Sequence, residues 1–251
     1  MGNKVIGTTS VKLGIYETST DEQLEGMLGD VKEMEDGRKF RLCRNSTVVL
    51  VPGKTVQGPA SNAYDENMAI GTASVGDTTL TVTVSASYGA PVAANDFKDG
   101  YFVVSDTGVA AEVGHGRKIK SNTAATVGND TTLTFYDALT DVVTASSTGN
   151  WVKNQFKDVI IDAGNARTVG VPVCDVTASV SNTTYYYFWA QVSGPCPMVS
   201  GGALVAGDTV ETNASGVVIT ASGGTTAQVI GTAMQVCSDS GDATLIWLNL
   251  E

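Results

Sequence analysis

The sequence predicts an all-β protein: a β-sandwich or barrel-like outer domain, a smaller inserted β-domain, and one short helix near the N-terminus. Three observations support this prediction. Apolar residues occur in short runs rich in β-branched and aromatic side chains, turn-forming residues separate the runs, and a single stretch carries a helix-start signal. The chain has 28 Gly but only 6 Pro among its 251 residues, a ratio typical of many tight turns.

The first 65 residues are predicted to contain an extended arm, the short helix and a hairpin. Residues 1 to about 17 form the arm, which lacks a helical period and holds the apolar residues Val5, Ile6, Val11, Leu13 and Ile15. A Thr-Ser-Thr segment followed by acidic residues predicts a helix from about Asp21 to Leu28, ended at Gly29. The dipeptide Asp36-Gly37 then predicts a hairpin.

The last third of the chain, residues 185–251, is predicted to be a series of strands joined by turns. It opens with an aromatic run, Tyr185-Tyr186-Tyr187-Phe188-Trp189, which continues to Val192. The segment Ser193-Gly194-Pro195 is predicted to be the turn that follows. Further strands are predicted within 204–210, 227–233 and 243–248.

Two pairs of similar segments within the chain, which we call echoes, indicate the domain organisation. Residues 50–56 match residues 204–210 at five of seven positions, and residues 73–82 resemble residues 125–135. The second pair lies inside the first. Strand-turn-strand segments with glycine at the turn also recur by chance, but nested echoes favour an insertion. We therefore predict an outer domain of 1–65 plus 159–251 and an inserted β-domain of 66–158.

Composition and charge argue against several classes of partner. The net charge is −11, whereas nucleic-acid binding needs clustered Lys and Arg. No apolar run reaches the length of a transmembrane helix, and the N-terminus lacks the apolar core of a signal peptide. The four Cys are scattered without a C-x-x-C pair. We expect no nucleic acid, membrane, metal or cofactor as a partner, and synthesis in a cytoplasm.

The residue types available for catalysis predict that the chain is not an enzyme. His115 is the only histidine, so any Ser-His-Asp or Cys-His arrangement has to use it, and no Gly-x-Ser-x-Gly elbow is present. Glu33, Glu35 and Asp36 cluster at the predicted hairpin, where turn chemistry accounts for them. A hydrolase that uses His115 or a carboxylate pair is the enzyme alternative.

The aromatic run has three interpretations. Strand alternation places Tyr185, Tyr187 and Trp189 on one face and Tyr186 and Phe188 on the other. A strand that is apolar on both faces is covered on both, either in the core or between subunits. A carbohydrate-stacking platform is the third interpretation. We assign Tyr185, Tyr187 and Trp189 to a subunit interface, and the other two interpretations stay open.

Several segments resemble tailed-bacteriophage head decoration (cement) proteins. The opening 28–41 carries Leu-Gly-Asp-Val and Asp-Gly-Arg-Lys-Phe-Arg, and the close carries the segments 187–195, 204–208 and 229–233. The middle segments 100–104 and 117–122 fit as well. The order of these motifs is more specific than any one of them. The resemblance covers most of the chain.

The resemblance implies a structural virion protein that decorates and cements the outer surface of a bacteriophage capsid at capsomer junctions. Such proteins are β-rich and commonly trimeric, so the implied partners are the major capsid protein and further copies in a homotrimer. We assign the capsid contact to Val5, Ile6, Val11, Leu13 and Ile15. The alternative is a phage tail or head-fibre protein that binds host-surface glycans.

Overall fold

The computed structural model describes residues 13–21, 26–106, 114–180, 183–223 and 228–251. These ranges hold sixteen β-strands and no α-helix, which confirms the all-β prediction, and no membrane-spanning helix is found in them. The strands are β1 (Val31–Glu33), β2 (Lys39–Arg44), β3 (Val56–Gln57), β4 (Met68–Ala69), β5 (Thr79–Thr83), β6 (Tyr101–Asp106), β7 (Gly116–Asn122), β8 (Asp130–Phe135), β9 (Thr148–Val152), β10 (Ile160–Ile161), β11 (Thr168–Pro172), β12 (Tyr187–Val199), β13 (Thr209–Thr212), β14 (Val218–Thr220), β15 (Val229–Ala233) and β16 (Ala243–Asn249).

The predicted short helix from Asp21 to Leu28 is not seen. Residues 22–25 lie outside the described residues, and the described flanks are not helical. A tight turn precedes β1: the backbone N–H of Asp30 donates to the carbonyl of Met27, and Asp30 Oδ2 accepts from the backbone N–H of Met27. Gly29 has φ 94°, so the predicted helix terminator is the glycine of this turn.

The chain divides into two compact units, unit 1 with residues 1–60 and 155–251, and unit 2 with residues 61–154. In unit 1, one sheet runs in the order β10-β3-β11-β12-β16-β15-β13-β14, and the hairpin β1–β2 joins β12 through β2. A parallel bridge links Ser200 with Val218. Because this bridge returns β14 to the end of β12, the sheet curls into a barrel-like form.

The 13-residue strand β12 is the centre of unit 1. Its first half pairs with β2, and its second half pairs with β16. The predicted turn at 193–195 is therefore wrong: β12 continues through it with a register shift between Gln191 and Ser193. Gly194 has φ 86°, and Gln191 Nε2 donates to the carbonyls of Ser193 and Pro195 at 3.1 and 2.8 Å. The register shift leaves Val192 as the extra residue of a β-bulge, and Gly194 stays paired with Leu248, so the segment is not a chain reversal.

Three clusters of buried apolar residues form the core of unit 1. The first lies around β12 and β16 with Met198, Ile246 and Leu248, and the second around β3 and β11 with Val56 and Phe188. The third lies under the β1–β2 hairpin and consists of Leu13, Met34, Phe40, Leu42, Tyr187 and Trp189. The hairpin predicted around Asp36-Gly37 thus covers part of the core.

Unit 2 is a six-stranded sheet in the order β4-β9-β6-β7-β8-β5. A bridge between Ile70 and Val82 joins its two ends, so this sheet is also barrel-like. Its core is aromatic: Trp151 stacks on Phe97 with ring centroids 4.0 Å apart, and Phe102 lies 5.8 Å from Phe135. Inward-facing residues of every strand surround these rings.

The two sequence echoes correspond to one turn that recurs four times. In each copy an antiparallel bridge residue is followed two residues later by a turn and then a strand, and the turn glycine has positive φ. The bridge residues are Leu50, Ala73, Ala125 and Leu204, and the glycines are Gly53, Gly76, Gly128 and Gly207. The first and last copies belong to unit 1 and the middle two to unit 2. The similar segments therefore share a local structure, a glycine turn that leads into a strand.

Candidate interaction surfaces

The base of the N-terminal arm is fixed inside unit 1. The side chain of Leu13 is buried in the cluster under the hairpin. Its backbone carbonyl accepts a hydrogen bond of 2.9 Å from Trp189 Nε1 and a second one from the ammonium of Lys32. Because side chain and carbonyl are both held, the position of the chain at residue 13 is specified.

Lys32 is an unusual residue at this position because it is buried. Its ammonium lies 4.5 Å from the centre of the Trp189 ring, a cation–π contact that partly replaces water. Burial lowers the pKa of Lys32, and the negative charge of Glu17 acts in the opposite direction. Removing a lysine ammonium from water is unfavourable unless other contacts replace the water. The contacts of Lys32 with Leu13 and Trp189 provide this replacement, so they favour the arrangement in which the three residues meet.

The predicted capsid-contact residues divide into two groups. Leu13 is buried, and Ile15 packs against the same cluster of unit 1. These two residues contact their own chain. The other three, Val5, Ile6 and Val11, lie outside the described residues, and their assignment to the capsid contact stays a prediction.

Of the three aromatic residues assigned to a subunit interface, Tyr187 and Trp189 lie at the start of β12, and Tyr185 precedes the strand by two residues. Trp189 has no exposed surface, and Tyr187 is buried beside it. Their side chains contribute to the core, which was one of the interpretations left open by the sequence. Tyr185 is half-buried, and the guanidinium of Arg44 lies 3.9 Å from the centre of its ring. Its place at an interface stays a prediction.

The outer face of β15 and β16 exposes apolar side chains instead. Trp247 is 51% exposed, Leu245 37% and Met234 43%. The β16 register places Trp247 opposite Thr232 and Leu245 opposite Pro197, and both of these residues are exposed. We call this patch of Pro197, Thr232, Met234, Leu245 and Trp247 the Trp247 surface.

The Trp247 surface departs from the pattern of a solvated strand. Along β16, Thr244, Ile246 and Leu248 point inward and are buried, and the alternate positions would ordinarily be polar. None of the five residues of the surface is charged. Adjoining Trp, Leu and Met side chains on an outer face are typical of a protein-binding surface.

The structure can be compared with two kinds of site considered in the sequence, a metal site and a site that uses His115. No group of three or more His, Cys, Asp or Glu side chains is placed there to hold a metal ion. His115 Nδ1 lies 3.2 Å from Thr140 Oγ1, and Arg117 donates to the same hydroxyl. An arginine beside the imidazole is the opposite of the carboxylate that orients a catalytic histidine.

Two of the four cysteines, Cys43 and Cys196, are held in a form of low reactivity. All four are free thiols, and Cys43 and Cys196 are buried. Burial raises the pKa of Cys196 to about 12 and raises that of Cys43 as well. Since the thiolate is the nucleophile and the metal ligand, these two side chains act as small apolar core residues.

A pocket of about 260 Å³ lies between β11 and β13. The carboxylate of Asp162 faces it but is already engaged, with Oδ1 accepting from the backbone N–H of Gly164 and Oδ2 from the hydroxyl of Thr168. Gln228 Oε1 accepts from the backbone N–H of Thr168. These polar groups satisfy one another and hold the loop 162–168 in place.

Unit 1 therefore has a firmly anchored base of the N-terminal arm and, separately, an exposed apolar patch, the Trp247 surface. Comparisons with protein-family models, with curated proteins and with solved structures found no match. The function is accordingly inferred from the chain's own residues, together with the resemblance that their order carries.

Proposed function

We propose that the protein is a structural virion protein that decorates and cements the outer surface of a bacteriophage capsid. Its partners are the major capsid protein and two further copies in a homotrimer, and it reaches the capsid from the host cytoplasm. The order of the decoration-protein motifs supports this assignment. The structural observation that carries it is the anchored base of the arm, because a segment used for grip has to be held firmly at its origin.

The arm supplies the contact with the capsid. Val5, Ile6 and Val11 precede Leu13, whose side chain and carbonyl are both fixed in unit 1. A load on the arm is therefore passed to β1 and β12. Each interface of ordinary size buries about 1,600 Å² in total. Repetition over the lattice strengthens attachment, since binding at one point raises the effective concentration at the next.

The Trp247 surface supplies the contact between copies of the trimer. Each copy has a net charge of −11, so copies repel one another over most of their surface. An uncharged face with an exposed Trp, Leu and Met is where this repulsion is smallest and the gain from apolar burial is largest. This assignment places the main contact on β15 and β16, and the interface role of Tyr185 stays a separate prediction.

Co-sedimentation with expanded, undecorated capsids of the phage that encodes the chain tests the proposal. We expect saturable binding and a rise in the temperature at which filled capsids release DNA. Replacing Val5, Ile6 and Val11 by Ser should weaken binding at least about tenfold, while a matched control with Thr8, Thr9 and Ser10 replaced by Ala should bind like the original.

Two outcomes would change the assignment. Binding that survives the apolar substitutions would move the capsid contact away from the arm. Absence of saturable binding by the intact protein would exclude the cement function. The tail or head-fibre alternative would then come first, and it requires binding to host-surface glycans without binding to capsids.

A further inference from the structure

Unit 2 carries a row of aromatic and cationic side chains on one side of its barrel. Tyr101 on β6 lies opposite Lys118 on β7. The backbone N–H of Tyr136, the residue after β8, donates to the carbonyl of Lys118 at 3.1 Å. The Lys118 ammonium lies 5.6 Å from the centre of the Tyr136 ring. These three side chains form what we call the Tyr101 row.

Both tyrosines of the row present ring surface to solvent. Tyr101 is 56% exposed and Tyr136 44% exposed. The hydroxyl of Tyr136 donates to Asp99 Oδ1 at 2.8 Å, which fixes the orientation of the ring before any ligand binds. Adjacent strands lie about 4.8 Å apart, and Tyr101 and Tyr136 are separated by one intervening strand. Two consecutive sugar rings can cover such a span.

The neighbouring strand pair β5–β8 shows that tyrosine is not needed on this face for strand formation. Along β5 and β8, threonines face one another across the pair, Thr79 opposite Thr134 and Thr81 opposite Thr132. Threonine suits an exposed strand position because it is β-branched and polar. Tyr101 and Tyr136 instead place large aromatic rings on either side of Lys118 on β7.

The charge of β7 is opposite to that of the whole chain. Lys118 and Lys120 point outward on either side of buried Ile119, and neither makes an ion pair within the described ranges. Arg117 is held beside them by hydrogen bonds to the carbonyl of Ala138 and the hydroxyl of Thr140. In a chain of net charge −11, unpaired lysines on one strand make a local site for an anion.

We propose that the Tyr101 row, together with Lys120, binds an acidic polysaccharide whose sugar units carry carboxylates. The apolar C–H face of a pyranose ring packs against the electron-rich face of tyrosine. The sugar carboxylate accepts hydrogen bonds from the lysine ammoniums. Two lysines match one or two carboxylates per site, whereas tracking a nucleic acid requires a cation for each neutralised phosphate.

This function goes beyond capsid decoration and does not depend on it. The proposed capsid and trimer contacts are on unit 1, and the Tyr101 row is on unit 2. A decorated virion would carry the row in many copies, so weak binding to an anionic polymer would be strengthened by multivalency. The polymer class is an extracellular polysaccharide rich in uronic acid.

Isothermal titration of the full-length protein tests the site, with polygalacturonate as the probe. Dextran is the neutral polysaccharide for comparison, and a single-stranded oligodeoxynucleotide is the second anionic polymer. The variants are Tyr101→Ser and the double substitution Lys118→Gln with Lys120→Gln. Matched controls are Tyr64→Ser, which removes another exposed tyrosine of unit 2, and Lys54→Gln, which removes a lysine of unit 1.

We expect saturable binding to polygalacturonate and none to dextran. Tyr101→Ser and the double lysine variant should each weaken binding at least about tenfold, and both controls should bind like the original protein. Lack of binding by the original protein, or site variants that both bind with the affinity of the original protein, would overturn the proposal. So would equally tight binding of the oligodeoxynucleotide, which would point to nucleic acid. Near-UV circular dichroism verifies folding, and if Tyr101→Ser is unfolded the lysine variant decides.

Discussion

The indole Nε1 of Trp189 donates a hydrogen bond of 2.9 Å to the backbone carbonyl of Leu13, 176 residues earlier in the chain. The ammonium of Lys32 donates to the same oxygen. One carbonyl thus joins β1, β12 and the base of the N-terminal arm. All three residues are buried, so water cannot replace a donor that is lost.

Replacing Trp189 by Phe tests this connection. The substitution keeps an aromatic ring in the core, removes the N–H donor and leaves a small void. We expect the free energy of unfolding to fall by about 2–3 kcal/mol, measured by urea denaturation at pH 7. The matched control is Tyr64→Phe, which keeps an aromatic ring at a site that is 42% exposed and outside the proposed interfaces, where a change of no more than about 0.5 kcal/mol is expected. Equal losses in the two variants would contradict the role of the indole N–H.

Replacing Trp247 by Ser should dissociate the proposed trimer. Sedimentation velocity should show a trimer for the original protein and a monomer for the variant at the same concentration, because interface aromatics carry a large share of association energy. Val49→Ser is the control, since Val49 is 53% exposed on unit 1 outside the Trp247 surface. A protein that is monomeric before substitution would remove this surface from the trimer model.

The comparison of Trp189 with Trp247 shows how far the sequence predicts a strand environment. Both lie in runs that are apolar at nearly every position, and such runs indicate a strand covered on both faces. For β12 the cover is the chain itself. For β16 the inner face is buried by the chain while Leu245 and Trp247 remain exposed. The pattern of apolar residues along a strand indicates that a face is buried, but it does not indicate whether the same chain or another molecule buries it.

Gly194 shows why a local pattern predicted a turn in the wrong place. A glycine with positive φ occurs in tight turns and also in strands beside a β-bulge, so the segment Ser193-Gly194-Pro195 fits either one. Pairing with β2 and β16 decides between them, and these partners are distant in sequence. The domain boundaries at 65/66 and 158/159 stay a prediction, as do the roles of Val5, Ile6 and Val11.

Stability should fall as the pH rises above 9. The ordinary pKa of the cysteine thiol is 9.0, and burial raises the folded-state pKa of both Cys43 and Cys196. Above pH 9 the unfolded chain loses these protons while the folded chain keeps them. Each thiol therefore contributes stability that is complete below pH 9 and is lost at up to about 1.4 kcal/mol per pH unit above it.

Urea denaturation at pH 7, 8, 9 and 10 measures this loss. Cys196→Ala should be less stable at pH 7 because of the void, but its decline between pH 9 and 10 should be shallower than that of the original protein. Val210→Ala is a control for the void alone and should keep the original decline. The lowered pKa of Lys32 makes the free energy of unfolding rise with pH below 10.5. Every variant retains Lys32, so this contribution cancels when the variants are compared. Parallel curves for Cys196→Ala and the original protein would contradict the prediction.

Asp65 should be the most sensitive polar residue of unit 2. Its buried carboxylate accepts hydrogen bonds of 2.7 Å from both Trp151 Nε1 and the Tyr88 hydroxyl at Oδ1, and one of 2.6 Å from the backbone N–H of Asn62 at Oδ2. In Asp65→Asn an amide NH₂ replaces one of the two acceptor oxygens and faces a hydrogen-bond donor. We therefore expect the free energy of unfolding of unit 2 to fall by about 3 kcal/mol. Hydrogen exchange should show reduced protection in 61–154 and unchanged protection in unit 1. The control Asp137→Asn, at an exposed position, should leave hydrogen-exchange protection unchanged in both units. A loss of protection spread over both units in Asp65→Asn would show that the carboxylate does not act within unit 2 alone.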